Sequence, residues 1–416
     1  MKKIFIYFLF IFLSIFPSFS WSKDTLSIHV IFHPKNYIDL EKSQISGLKN
    51  NILEFKKEKI KTNFIDNENR IYSSEIYLDG LGLEHFKRTD LLLATIKYHI
   101  LDNSIFNGAS EFRLLDPKPS YYDVPFIYNL FLDHFKLPKR NYSIIKFSTN
   151  ISNKKYTKVF EESFGDSFLS RNNLQNVFLL KIFIYNRLGH EALKMHRNNQ
   201  ISDNEYLKIY YNNISSSNLK KYRTKNDITN AEFKKAKKIF KKYLNKEKKA
   251  SEVFDIDSSV KVFFINKLWG EMHSILAHNI RFYFDPKDEI FYLIPSDPFF
   301  PMNIKEKYKN QLPLPFLTNR KNEFAMSYFH NMDLKKEWFQ YLLEDSEFQS
   351  TYLNYLLNID KLDLKNLINK IEKHKLNFSD EKNIKSIQYL INNIRYVLNY
   401  LDSSQNIKLI NEVLIK

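Results

Sequence analysis

VFDIDSSVKVFFINKLWGEMHSILAHNIRFYFDPKDEIFYLIPSDP, residues 253 to 298, sets His273, His278, Asn279 and Asp297 between apolar runs. From Ser259 to Ala277, Val260, Phe263, Phe264, Leu268, Met272 and Ile275 recur mostly three and four apart, which predicts one amphipathic helix. Ile280 to Phe284 alternates and is rich in aromatic and β-branched residues, Asp285-Pro286-Lys287-Asp288 is turn chemistry, and Phe291 to Ile294 is a second short strand. Asp297 follows that strand, where a carboxylate can leave the core and meet a ligand.

Working outward, Thr25 to Phe32 and Ile71 to Leu78 alternate as strands, while Leu40 to Phe55 and Val124 to Phe135 read as helices, the latter ending before Pro138. Four segments follow: 1–22, a signal peptide; 23–185, an α+β N-terminal lobe; 186–250, a basic helical insertion; and 251–416, a C-terminal lobe with the helix, the hairpin and a helical end. In that end Leu356, Ile359, Leu362, Leu364, Leu367, Ile368 and Ile371 suggest two or three packed helices.

The 416 residues are 44% hydrophobic and 16% aromatic, which is globular and far from the disordered range. Lys2 and Lys3 precede an apolar run from Ile4 to Phe16, with small residues at Ser18 to Ser22 at the spacing a signal peptidase reads. Export to a periplasmic or extracellular location is therefore expected, with an uncleaved N-terminal anchor as the alternative. The chain has no Cys, which excludes disulfides, thiolate metal sites, a Cys nucleophile and a lipoprotein anchor.

The net charge of +16 is concentrated between Lys220 and Lys249, where thirteen Lys or Arg face Asp227, Glu232 and Glu247. Phe233, Ala236, Ile239, Phe240, Tyr243 and Leu244 recur at helical spacing within that run, so the lysines read as a solvated face. A polyanion or membrane-surface contact through residues 220–249 is the competing reading, and sequence-specific nucleic-acid binding is not expected. His273 and His278 stand five apart and do not share a helical face as a zinc pair would. No Gly-x-Ser-x-Gly turn and no glycine-rich phosphate loop occurs.

The helix, His-Asn step, aromatic strand pair and Ile-Pro-Ser-Asp ending resemble the spore-coat protein H (CotH) kinase-like family. Supporting pieces, in order, are Leu78-Asp79-Gly80 with Glu84-His85, Ile96-Lys97, Phe112-Arg113-Leu114 with Asp116-Pro117 and Tyr121-Tyr122, and Val159-Phe160-Glu161-Glu162 followed by Phe164. The resemblance covers roughly residues 40 to 300 and implies an α+β, atypical protein-kinase-like two-lobe fold with a sheet-rich N-terminal lobe and a helical C-terminal lobe. It further implies ATP with Mg or Mn as cofactor and Ser or Thr of an envelope or surface protein as acceptor.

By the same resemblance Asp297 is the metal-binding carboxylate, Asn279 a second oxygen ligand, Lys97 or Lys181 the phosphate-binding lysine, and Glu162 the acid that orients it. Active members carry an Asp about seven residues before the His-Asn step. Glu271 occupies that place here, with Lys267 at the other alignment; a Glu can accept a proton, whereas a charged Lys cannot. This departure makes a degenerate, non-catalytic binding module the alternative function.

Overall fold

A computed structural model describes residues 26–80, 85–86, 90–118, 123–222, 224, 229–303, 336–358, 362–374, 376–378 and 380–401. The expected signal segment, and Glu84, Tyr121 and Tyr122, lie outside these residues.

The sheet-rich N-terminal part is a closed barrel of β1 (Ser27–Ile31), β2 (Ile60–Asp66), β3 (Ile71–Leu78), β4 (Ile96–Ile100), β5 (Glu111–Leu115), β6 (Tyr142–Thr149) and β7 (Ser152–Glu162), in the order β1-β2-β3-β4-β5-β7-β6. All neighbours are antiparallel except β1 and β6, whose parallel pairing closes the ring. Alternation along these strands puts every second residue inside. The interior is filled by rings: Phe64 stacks on Tyr72 at 4.7 Å, Tyr98 on Phe112 at 4.9 Å, and Phe106 and Phe160 pack edge-on or tilted around them. With the interior occupied by side chains, the outward-facing residues are the ones left to meet a ligand.

A second sheet, in the order β11-β10-β8-β9, comprises β8 (Phe178–Ile182), β9 (Leu219–Lys221), β10 (Arg281–Asp285) and β11 (Ile290–Ile294). The hairpin read from the sequence is therefore present, with Tyr283 stacked on Tyr292 at 4.4 Å across it. Residues 178–182, assigned by pattern to the first lobe, pair instead with β10 and β9. The stretch 186–250 is likewise woven in rather than appended. It contributes β9, and the helix Asn230–Leu244 buries Ala236, Ile239, Phe240 and Tyr243 in the large core. Most of that helix's lysines lie on its other face: Lys234, Lys235, Lys238 and Lys241 are exposed.

The helix expected over 259–277 spans Ile256–Trp269 and stops at Gly270, which adopts φ 80° and caps it by donating its N–H to the Asn266 and Lys267 carbonyls. It is not amphipathic either. Residues on all sides are buried, Ser259, Asn266 and Lys267 included, because the helices Ser346–Leu357 and Glu381–Leu401 and the strand β11 surround it. His273 thus opens a single 3-10 turn, His273–Ile275, and His278 and Asn279 follow it, so none of the three is on a face of the central helix. Among the described residues no helix is long and apolar enough to cross a membrane.

The helical end is tied to the helix Val124–His134 by Asp123, whose side chain is fully buried. Its oxygens accept from the Asn377 backbone N–H at 3.0 Å, the Asn377 amide at 2.8 Å, the Phe378 N–H at 3.1 Å and the Asn383 amide at 2.9 Å. Burial works against ionisation here, but His374 and these donors prevail and hold the carboxyl below its ordinary value. Asp123→Asn, which places an amide among donors, should cost about 3 kcal/mol in denaturant unfolding. Because the folded pKa is the depressed one, the native contribution is complete above the unfolded value of about 4 and is lost as pH falls through the folded one. The variant should therefore lose part of the acid limb that the native protein shows in pH-dependent unfolding.

Candidate functional site

Strand register assembles the site. Across the barrel's outer face Tyr77 pairs with Lys97, Lys97 with Arg113, Arg113 with Glu161, and Glu161 with Tyr142, one row over β3, β4, β5, β7 and β6. On the second sheet Lys181 pairs with Arg281. Both rows line one cavity of ≈ 520 Å³, within the usual range for small-molecule and cofactor sites. The rim is completed by the 273–279 turn and by Asp297, which follows β11.

Among the described residues lining the cavity, seven are Lys or Arg and four are Asp or Glu. Three of the cations are paired within it, two of them with one shared carboxylate. Arg113 donates to Glu161 through Nε at 2.6 Å, Arg140 approaches the same carboxylate at 2.7 Å, and Lys57 pairs with Asp79. The Tyr142 hydroxyl donates to Glu161 at 3.1 Å. Lys181 meets rings instead, with its ammonium 5.0 Å from the Tyr222 centroid and 5.3 Å from that of Phe183. Tyr222 favours the charged form of Lys181, but burial and the charges of Arg281 and Lys97 prevail and lower its pKa. Lys97 is held charged: burial opposes this, and Glu111, Tyr77 and Asp79 override it and raise the pKa. An anion entering the cavity would relieve the repulsion among Lys97, Lys181 and Arg281.

Among the described residues Asp297 has no lysine or arginine ion pair. Its nearest ion-pair partner is His273 Nε2 at 3.9 Å, and its side chain is 52% exposed. Enclosure raises its pKa, but the charges of His273, Arg113, His85 and Arg140 outweigh that and keep it below the ordinary carboxylate range, so it is ionised at neutral pH. Its backbone has φ 59°, a left-handed turn that Asp tolerates. Asn279 lines the same wall. Its amide nitrogen donates to the His273 carbonyl at 3.0 Å, so Oδ1 is the atom left to meet a cation. The two are brought together by Ser296, whose N–H donates to the Ser274 carbonyl at 3.0 Å and whose hydroxyl donates to the Asn279 carbonyl.

Asp297 and Asn279 suit a hard divalent cation that keeps most of its shell from water and phosphate oxygens. No group of three or more His, Asp or Glu that could hold a metal by itself occurs among the described residues. The donor set therefore fits a cation carried in with a phosphate ligand.

Lys97 and Lys181, named from the sequence, both line the cavity; Glu162 and Glu271 do not. Glu162 is one residue out of register. Its side chain is fully buried on the opposite face, accepts from the Asn141 N–H at 2.9 Å and pairs with Arg171. Glu161 faces the cavity in its place, because successive strand residues point to opposite sides. The acid beside Lys97 is Glu111 on the next strand, at 3.0 Å.

Glu271 is 1% exposed and serves the backbone, accepting from the N–H of His273 and, at 3.2 Å, from that of Phe299. Lys267 is buried in the central helix. Protein kinases place the base carboxylate five residues before the metal-binding Asn. Counting back from Asn279 gives Ser274, fully buried, whose hydroxyl donates to Asn266 Oδ1 at 2.6 Å and lies 3.0 Å from the Tyr128 hydroxyl. Neither alignment brings a carboxylate to the cavity at that place.

The sequence reading missed Arg113, Arg140, Arg281 and Tyr222. Arg113 and Arg281 each sit at a polar position of an alternating strand, which was the available signal.

No protein-family model matches the chain, and no curated protein matches it. Among solved structures, a Helicobacter pylori proinflammatory kinase, CtkA, is similar at 12% identity and a TM-score of 0.30, over 86% of this chain and 96% of that one. The FAT and kinase domain of CtTel1 is similar at 12% identity and a TM-score of 0.30, over 88% of this chain and 22% of that one. Both neighbours are kinases, but likeness at this level carries no weight for fold family or activity. None of the comparisons identifies the spore-coat protein H family.

Glu271→Ala should lower stability by about 2 to 3 kcal/mol, since it strips two buried backbone N–H groups of their acceptor. Chemical denaturation checks this. A Glu271 variant of native stability would contradict the structural role.

Proposed function

We propose that the cavity between the barrel and the second sheet binds a phosphate-bearing ligand together with a divalent cation, ATP with Mg or Mn being the specific candidate. One observation carries the reading. Lys97, Arg113, Lys181 and Arg281, from two separate sheets, converge on the cavity that also receives Asp297 and Asn279. Lys97 and Lys181 would meet phosphate oxygens, Asp297 and Asn279 would hold the cation, and the faces of Tyr222 and Phe183 keep Lys181 in place. The bound cation would neutralise phosphate charge; the chain's own part is to orient the ligand and limit water around it.

Transfer of phosphate to Ser or Thr of an envelope or surface protein is the finer form of this proposal. The non-catalytic alternative is favoured by Glu271, whose carboxylate is spent on two backbone N–H groups. Both forms bind the same ligand.

Thermal melting with ATP and either Mg or Mn should raise the Tm of the native protein. Asp297→Asn should remove the metal-dependent part of that rise and leave the ligand-free Tm nearly unchanged, since its side chain is half exposed. Lys181→Ala should weaken binding about tenfold, the order of one charged contact. No shift with either metal, together with unfolding of Asp297→Asn, would make Asp297 a turn residue and overturn the proposal.

A further inference from the structure

His278 leads from the cavity to a buried acid. The imidazole lines the cavity, and its Nδ1 is 2.9 Å from the Tyr210 hydroxyl. Tyr210 in turn donates to Glu337 Oε1 at 3.0 Å. A phenol has one proton, and while Glu337 is ionised that proton is given to it, so in that state His278 Nδ1 is the donor to the Tyr210 oxygen. That fixes the neutral Nδ1–H tautomer and leaves Nε2 as the ring nitrogen with a lone pair for a cavity ligand.

Glu337 is 4% exposed, and its other oxygen accepts from the Ala277 N–H at 3.1 Å. The elements forming the chain are thus the helix Asp203–Asn212, the 273–279 turn and the residue before Trp338, whose indole donates to the Ile275 carbonyl at 2.8 Å. Three separated parts of the sequence are locked into one line of hydrogen bonds.

We propose that Glu337, acting through Tyr210 and His278, serves the cavity as a base, with His278 the catalytic residue and Tyr210 and Glu337 its positioning residues. A ligand hydroxyl gives its proton to His278 Nε2, the Nδ1 proton passes to the Tyr210 oxygen, and the Tyr210 proton passes to Glu337. The O–H electron pair stays on the hydroxyl oxygen and the negative charge moves from Glu337 to it; in a transfer from ATP that oxygen bonds to the γ-phosphorus as the bond from phosphorus to the β–γ bridging oxygen breaks and ADP leaves with that electron pair. No ring carries a net charge at the end of the step. The identity of the ligand rests on the phosphate-binding reading; the relay itself does not.

The electrostatics fit. Burial raises Glu337, with the N–H groups of Ala277 and Trp338 and the Tyr210 hydroxyl pulling the other way, and the net effect pushes it up to about 7, where a base serves best. The Tyr210 phenol stays protonated, raised well above its ordinary value by burial, Glu337, Tyr185 and Tyr206.

Histidine ¹⁵N spectra across pH test this, the His278 signals being assigned through contacts to the Tyr210 ring, whose centroid lies 5.8 Å away. With Glu337 ionised the ring should be the Nδ1–H tautomer. With Glu337 protonated, the acid donates to Tyr210, Tyr210 donates to Nδ1, and the ring should be the Nε2–H tautomer. The native protein should swap tautomers with a midpoint near pH 7. Tyr210→Phe should abolish the swap. Glu337→Gln should fix the Nε2–H form at every pH, because the Ala277 N–H claims its oxygen and turns its amide N–H toward Tyr210. One tautomer throughout in the native protein, or an unchanged swap in Tyr210→Phe, overturns the relay, and the native titration decides even where a variant does not fold. A swap without any nucleotide-dependent change in Tm supports the relay and counts against the phosphate reading alone.

Discussion

Two rows of cations facing each other across a small cavity are the constraint on which the rest of the site depends. Lys97 and Arg113 are set side by side by the pairing of β4 with β5, and Lys181 and Arg281 by the pairing of β8 with β10. Backbone ladders hold them there, so the charges cannot separate without breaking strand pairs. Burying cations this way is costly unless they are paired. The chain supplies part of the compensation through Glu161, shared by Arg113 and Arg140, and through Asp79 beside Lys57. What remains is a positive potential aimed at the space between the sheets, which the proposed phosphate-bearing ligand would offset.

The second requirement is that Asp297 and Asn279 reach the same space. Gly270 ends the central helix and so frees the following residues to form turns. Glu271 then holds the turn to Phe299, and Ser296 ties the end of β11 to it. A residue that resembled a catalytic base by position is in this way a structural clasp. The task of accepting a proton falls to a ring nitrogen at the cavity wall, backed by Tyr210 and Glu337, far away in sequence.

Much of the fold was legible. The strand Ile71–Leu78, the helix Val124–His134 and the hairpin 281–294 follow from alternation, from Pro138 and from the Asp-Pro turn, all of them local signals. What the sequence hid was register and tertiary enclosure. Glu161 and Glu162 look equivalent in a run of Val-Phe-Glu-Glu, and only the pairing of Arg113 with Glu161 decides which faces the cavity. The 259–277 stretch read as an amphipathic helix because its apolar residues recur three and four apart, yet Ser259, Asn266 and Lys267 between them are buried too, under neighbouring helices. Residues 186–250 read as an appended basic insertion, whereas β9 and the Phe240 face of the following helix are part of the second sheet and its core. Glu337, 59 residues beyond His278, carried no sequence signal at all.

The most direct measurement is a crystal structure of the protein with Mn and a non-hydrolysable ATP analogue, using the anomalous signal of the metal to place it. The expected result is a Mn peak at Asp297 and Asn279 with the phosphates against Lys97 and Lys181. Nucleotide found only on the lysines of the helix Asn230–Leu244, or no nucleotide in the cavity at saturating concentration, would contradict a phosphate-binding site there.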